Sequence, residues 1–413
     1  MDSSLRIIVT GLIAQHRLLG GVTWDYLQVV LGIKRLGHDV YYIEGSGEWP
    51  YSFDGPAGGD GVANDPRPTV EHLASVMARF GLSTKWAYQF PPTSEWFGLS
   101  DEKRTDLIRS ADLLINVSGT LERPEDYRGV RRLVYIDTDP VFTQIDIAGD
   151  NSGRRHQVDA HDVHFTFGEC LGKHLPDTGH RWQPIRQPIV LSEWVSSVPH
   201  HDVFTTVMNW TSYKVVMYCG RTYGQKDVEF LKFMGLPQKV LPTTLEVALH
   251  KPHIRWPSNY ENTPACIRSL DRDNATWTPH EVLTQLGWRV VDATEVCSDS
   301  DSYRRYIQQS KGEWSVAKNG YVEGKAGWFS CRSACYLAAG RPVIVQDTGF
   351  SKVLPVGEGL LAFGTLDEAE AGIREVEGNY RRHAKAARSI AEAYFDSDKV
   401  LNRLLEVAMD SKY

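Results

Sequence analysis

The chain has 413 residues, with 45 Lys and Arg against 52 Asp and Glu and a formal net charge of −7. Hydrophobic residues at 42% and charged residues at 23% exclude a disordered chain. Neither half is basic, which argues against sequence-independent binding of nucleic acid. No apolar run approaches the roughly 18 residues of a membrane span. The opening stretch MDSSLRIIVTGLIAQH lacks the basic start and cleavage site of a signal peptide. Six cysteines without a CxxC pair give no zinc spacing, so reduced thiols in a cytoplasmic protein without a bound metal are expected.

LRIIVT at 5–10 reads as a buried strand, followed by a glycine-bearing loop at 11–21. Residues 23–37 predict a helix with Thr23 as its cap and Gly37 as its stop, and 38–44 the next strand. Strand, loop, helix and strand in that order make a βαβ unit. Residues 45–68, rich in Gly, Pro and Asp, read as a long loop. Helices are expected at 71–81 and 100–112, the second capped by Ser100. Strands are expected at 113–119, 132–139 and 162–169, short and β-branched as buried parallel strands are. Three prolines between 184 and 204 break every period and place an interdomain connection there.

The second half repeats the alternation. Strands are expected at 204–210, 214–220, 288–293, 312–318, 341–347 and 360–363. Helices are expected at 278–287, with Thr278 as cap and Pro279 first, and at 301–312 and 328–340. Residues 242–277 are irregular and polar and suggest no element. Helices at 380–395 and 397–410 close the chain, the last with Val400, Leu401, Leu404, Leu405 and Ala408 on one face. The 12 Trp and 18 Tyr point to packing more than to a stacking platform. The expected architecture is α/β: two Rossmann-like, doubly wound parallel-sheet domains facing a cleft. The first is 1–190, the second 204–395, and 396–413 is a helix packing back on the first.

Chemistry concentrates in a few segments. In WFSCRSACYLAAGRPVIVQDTGF at 328–350, a helix bearing Arg332 and Ser333 stops at Gly340, and Pro342 opens a buried strand. That strand delivers Gln346, Asp347, Thr348, Gly349 and Phe350 at its carboxyl end, where backbone N–H groups face a ligand. GRTYGQKD at 220–227 sets Arg221 and Lys226 five apart, a basic pair. A solvated surface loop is the competing reading. Lys318 and Arg332 are alternative cations, and Asn209, Trp210 and Thr211 end the preceding strand and are placed to line a phosphate site. In the first half, Gly20 and Gly21 allow close approach to a sugar phosphate, or form a plain turn. Asp137 and Asp139 end a strand, where a carboxylate acts as base or binds acceptor hydroxyls, although Asp139 also suits a turn cap before Pro140. Glu169 is a further carboxylate at a strand end.

These segments resemble the glycosyltransferases of the two-Rossmann GT-B fold. Ala338-Ala339-Gly340-Arg341-Pro342-Val343 and Asp347-Thr348-Gly349 match the helix end, the Gly-x-Pro-Val turn and the glycine loop of their donor-nucleotide region. Gly20, Gly21, Gly37, His38 and Val40 match their opening. The resemblance implies that a nucleotide-diphosphate sugar binds the second domain as co-substrate and the acceptor binds the first. It implies that Arg221 and Lys226 clamp the diphosphate and that the last helix crosses back. Inverting members often place a His after the first strand as the base for the acceptor hydroxyl, and His16 stands there; a neutral imidazole near pH 7 suits that role. Many retaining members carry two Glu where this chain has Gly327 and Cys335, so contacts to the donor ribose fall to other residues, with Glu313 and Glu323 as candidates. The implied activity is transfer of a sugar to an acceptor hydroxyl, by a monomer or homodimer without a bound cofactor. A small molecule, a glycan and a modified nucleic acid all remain open as acceptor. A sugar-nucleotide epimerase of the same fold and a non-catalytic sugar-nucleotide-binding protein are the alternatives.

Overall fold

The computed structural model describes residues 4–52, 61–62, 64–149, 152–172, 175–195, 199–212, 214–250 and 278–410. The chain forms two compact units, Met1–Leu191 with Tyr394–Tyr413, and Ser192–Ala393.

The first unit carries strands β1 (Arg6–Thr10), β2 (Asp39–Glu44), β3 (Tyr51–Ser52), β4 (Gly61–Val62) and β5 (Trp86–Phe90). They are followed by β6 (Glu95–Gly98), β7 (Leu113–Val117), β8 (Leu133–Asp137), β9 (Val163–Thr166) and β10 (Trp182–Pro184). Eight of them make one sheet in the order β10-β9-β8-β7-β1-β2-β5-β6, parallel throughout except for the β5–β6 pair. The central strands β7 and β8 are buried along their whole length, which is why they read as unbroken apolar runs. The chain runs β1, β2, β5 one way and returns to place β7 on the other side of β1. The sheet therefore reverses direction between β1 and β7, where a Rossmann sheet opens to ligands. The stretch expected as an unbroken loop at 45–68 holds the β3–β4 antiparallel pair, with residues 53–60 and 63 outside the described residues. The β5–β6 hairpin and β10 have no counterpart in the sequence reading.

The first helix spans Gly20–Arg35 rather than starting at Thr23. Gly20 and Gly21 are its first turn, not a flexible loop, and Thr23 is buried inside it. It ends as expected: Lys34 and Arg35 face the negative end of its dipole, and Gly37 turns the chain at a φ of 85°. Helix Asp101–Ser110 is capped by the Ser100 hydroxyl, which accepts from the Lys103 N–H at 3.3 Å. The last helix, Ser397–Met409, belongs to this unit and buries Val400, Leu401, Leu404, Leu405 and Ala408. It packs against helix Gly20–Arg35 so closely that a Cβ on Gly32 would stand 2.3 Å from Leu401 Cδ1.

The second unit carries β11 (Val203–Asn209), β12 (Val216–Tyr218), β13 (Arg221–Tyr223), β14 (Thr244–His250) and β15 (Arg289–Asp292). They are followed by β16 (Gly312–Ser315), β17 (Val343–Gln346) and β18 (Leu360–Phe363). Six of these form a fully parallel sheet, β15-β14-β11-β16-β17-β18, which reverses between β11 and β16. Two expectations are corrected. The strand expected at 214–220 is one arm of the separate β12–β13 antiparallel hairpin, with Met217 exposed. Residues 244–250, left without an element, are the buried strand β14. Its apolar TLEVALH core was masked by the prolines and threonines before it; 251–277 lie outside the described residues. Helix Pro279–Gln285 forms as expected, with Thr278 and Glu281 exchanging hydrogen bonds in a capping box. The core is aromatic: Phe230, Phe233, Trp288, Trp314 and Phe363 lie ring against ring, with Trp314 and Phe363 stacked at 5.6 Å.

Leu401→Ala opens a cavity between the last helix and helix Gly20–Arg35. It is expected to lower stability by about 2–5 kcal/mol in urea unfolding.

Candidate functional site

In the second unit, functional side chains collect where the sheet reverses, at the carboxyl ends of β11 and β16. Lys226 is the first residue of helix Lys226–Phe230, entered by a short loop from β13. Glu229, one turn on, is fully buried and accepts from Lys232 Nζ at 2.7 Å, Asn319 Nδ2 at 2.7 Å and Gln346 Nε2 at 2.5 Å. That network anchors the helix to the segments after β16 and β17, and so fixes where Lys226 stands. Lys226 Nζ itself makes no hydrogen bond or ion pair among the described residues.

Arg332 comes from the first turn of helix Cys331–Ala338. It donates to Glu313 Oε1 at 2.6 Å, to the Val207 carbonyl at 2.8 Å and to Ser315 Oγ at 2.7 Å. It thereby bridges β11 and β16 across the reversal. Lys318 follows β16 and holds its ammonium 5.3 Å from the centre of the Tyr321 ring. Burial and the charges of Arg332 and Lys318 hold the Lys226 ammonium well below the usual lysine range, against the opposing pull of Glu313. Lys226 thus stands near two other cations, and the carboxylate that acts on it, Glu313, already accepts from Arg332.

A small pocket of about 20 Å³ adjoins this cluster, lined by Ser315, Trp328, Arg332, Ser333, Thr348 and Phe350 among others. In it the buried Ser333 Oγ has no hydrogen-bond partner, and neither has the Glu313 Oε2 atom beside Arg332. The loop after β17 is held rigidly. Asp347 accepts from the Gly349 N–H at 2.9 Å and from Ser351 Oγ at 2.8 Å. Gly349 sits at a φ of 96° with the Lys325 carbonyl 2.7 Å from where a Cβ would be, so only glycine fits. Thr348 bonds the Trp328 carbonyl through its hydroxyl, and Trp328 stacks on Tyr321 at 4.1 Å. Trp328 is half-exposed at the pocket, whereas the sequence reading had absorbed it into a helix.

Several expected ligand residues do other work. Trp210 is fully buried against Phe230 at 5.5 Å and belongs to the core, while Asn209 and Thr211 on either side of it are exposed. Gln346 spends both ends of its amide on Glu229 and the Ala317 N–H, and the Asp347 carboxylate is turned to its own loop. Phe350 packs edge-on to Phe329. Arg221 is exposed on the β12–β13 hairpin and is not among the charges that perturb Lys226, whereas Arg332 and Lys318 are. Glu323 is exposed on its helix, and Glu169 is bound in a bidentate pair with Arg186 at 2.7 and 2.8 Å.

In the first unit, His16 lies half-buried in the loop after β1. That loop is clamped from β2: Glu44, fully buried, accepts from the Ala14 and Gln15 N–H groups at 2.8 Å each and from the Tyr42 hydroxyl at 2.6 Å. Tyr42 in turn accepts from the Ile13 N–H at 3.0 Å. Burial pushes the Glu44 carboxyl up to about 7, opposed by these donors. Asp137 is not placed to act as a base. It is buried and saturated by Thr143 Oγ1 at 2.7 Å, Thr166 Oγ1 at 2.8 Å, Gln144 Nε2 at 3.0 Å and the Asp139 N–H at 3.1 Å. Asp139 is half-buried beside it and opens the following turn, its carbonyl accepting from the Thr143 N–H.

No protein-family profile and no curated protein matches this sequence. Solved structures do. An alpha-glucosyltransferase in complex with UDP-glucose and DNA containing an abasic site aligns over 99% of this chain and 100% of its own, at 13% identity and a TM-score of 0.56. HepE from Anabaena, in complex with UDP-glucose, aligns over 98% and 99% at 11% identity and a TM-score of 0.54. Sucrose-phosphate synthase from Thermosynechococcus elongatus aligns over 97% and 98% at 10% identity and a TM-score of 0.52. This chain has the GT-B fold.

Within that GT-B frame, no helix of the described residues is long and apolar enough to cross a membrane. No group of three or more His, Cys, Asp or Glu among those residues is arranged to hold a metal ion. Two site features escaped the sequence reading. The Glu229 network needed the distant residues Asn319 and Gln346, which no local pattern links. The Glu44 clamp was hidden because a carboxylate ending an apolar strand looks like any other strand terminus.

Two outcomes follow from this geometry. Lys226→Met removes a cation held against its preference for the neutral form, so the ligand-free protein should gain on the order of 1 kcal/mol in chemical denaturation. Asp137→Asn breaks a saturated buried acceptor and should lower stability by about 1–3 kcal/mol, measured the same way.

Proposed function

We propose that this protein is a glycosyltransferase that moves a hexosyl group from a nucleoside-diphosphate sugar to an acceptor hydroxyl. The observation that carries the reading is Lys226, which makes no hydrogen bond or ion pair among the described residues and stands beside Arg332 and Lys318 at the reversal point of the second sheet. A diphosphate brings negative charge to it. In the reaction the bond from the sugar's anomeric carbon to the diphosphate oxygen breaks, and a bond to the acceptor oxygen forms. The nucleoside diphosphate departs with the electron pair, and the acceptor proton passes to a base. Lys226 and Arg332 meet the charge that grows on the leaving group, a term that stabilises the transition state more than the ground state and needs no metal ion. Arg332 is preorganised for this by Glu313, Ser315 and Val207, so little reorganisation accompanies the step. The pocket at Ser333 and Trp328 receives one end of the donor, its Ser333 hydroxyl pairing with a ligand polar group. His16 is the proposed base, on a loop that Glu44 holds in one conformation. Uridine is the first nucleotide to test, because two of the similar structures named above carry UDP-glucose.

A thermal-shift panel of UDP-, GDP-, ADP- and dTDP-sugars tests the reading. One of them should stabilise the protein by mass action, and Lys226→Ala should abolish that shift. A flat panel would overturn the assignment. The pH dependence has a defined sign. A bound diphosphate favours the charged lysine, so affinity should be level at low pH and fall as pH rises through the depressed Lys226 pKa, below the ordinary lysine range. Titration calorimetry across pH reads this directly. His16→Ala should reduce kcat by roughly 100-fold or more with the donor shift intact; a kcat within a few-fold of wild type removes His16 as base.

A further inference from the structure

The second unit contains a larger cavity on the amino-terminal half of its sheet, away from the strand ends that carry Lys226. Register places Thr205 of β11, Glu246 of β14 and Arg289 of β15 in one row. Neighbours in a parallel row point to the same face, and Val203 and Val291, each two residues from a member of the row, share it. Helix Ser300–Gln309 crosses this face and turns Ser302, Arg305, Tyr306 and Gln309 toward it, a spacing of one helix side. Between sheet and helix lies a groove of about 430 Å³. Small-molecule sites span roughly 300–1,000 Å³.

The charge arrangement in the groove is asymmetric. Its floor is settled: Glu246 is buried, accepts from the Tyr306 hydroxyl at 2.6 Å, and is paired with Arg289 Nε. That pair fixes the Arg289 guanidinium by one edge and leaves its two Nη groups without a partner among the described residues. Arg305 and His201 line the same groove, both exposed, and neither side chain makes a hydrogen bond or ion pair there. Two guanidinium forks with open N–H groups, over a carboxylate already satisfied, fit a tetrahedral oxyanion that accepts two bonds from each fork. Val203, Val291 and Val296 give the groove an apolar wall for a carbon skeleton.

We propose that this groove is a second ligand site, for a small phosphate monoester held through its phosphate by Arg289 and Arg305. It is separate from the proposed donor site, being built on different charged residues. The two charged pairs stand on different strands: Thr205, the last member of the groove row, pairs in register with Glu313 on one side and with Glu246 on the other.

Thermal unfolding with inorganic phosphate tests it, with chloride at equal ionic strength as the control. Lys226→Ala removes the open cation of the proposed donor site and serves as background. In that background phosphate should still raise the melting temperature in a saturable way, and adding Arg305→Gln should weaken the apparent affinity at least tenfold. Arg305 is exposed, so its replacement leaves folding intact, and Arg305→Gln alone should bind the nucleotide sugar as wild type does. Loss of the whole phosphate response in Lys226→Ala would overturn the proposal, as would an unchanged response after Arg305→Gln. Failure of the donor reading is seen separately, as nucleotide-sugar binding that survives Lys226→Ala.

Discussion

The second unit is organised around a charge that it does not balance. Arg332 is fully matched, by a carboxylate, a carbonyl and a hydroxyl, and this matching ties β11 to β16 at the point where the sheet reverses. Lys226 stands beside that pair without a partner of its own, on a helix that Glu229 bolts to the strands behind it. A fold that holds an ammonium below its natural pKa spends stability to do so. The arrangement makes sense when an anion visits.

How far this was legible in the sequence depends on the range of the interactions. Strands such as Leu113–Val117 and Val343–Gln346 were plain because burial on both faces leaves an apolar signature in consecutive residues. Caps at Ser100 and Thr278 were plain because a cap is a contact over three residues. Lys226 and Arg332 were both singled out, from separate motifs, but their proximity was not visible; a hundred residues separate them, and only the parallel register joins them. Arg221 was selected on spacing to Lys226, and the β12–β13 hairpin turned it outward. Trp210 was selected for standing at a strand end, yet its large apolar ring was better buried against Phe230 than left in water. Asp137 shows the same limit. A carboxylate at a strand end reads as reactive until three side chains and a backbone N–H are seen to occupy it.

The glycine loop after β17 shows how little freedom this edge of the second sheet retains. Gly349 is pressed against the Lys325 backbone, Asp347 closes its own turn, and Thr348 ties the loop to Trp328. Trp328 is therefore presented on Tyr321 as a fixed surface rather than a mobile one. Under the proposed reaction, that rigidity limits the ordering entropy lost when a donor binds.

The Glu44 clamp draws a line between two otherwise similar architectures. Both units end their first strand at a place where exposed backbone N–H groups welcome a phosphate. In the first unit those N–H groups are already answered from within, by a carboxylate borrowed from the neighbouring strand. In the second, Lys226 stands at the equivalent edge with no hydrogen bond or ion pair among the described residues. The same architecture is thus filled from within in one unit and left with an open cation in the other.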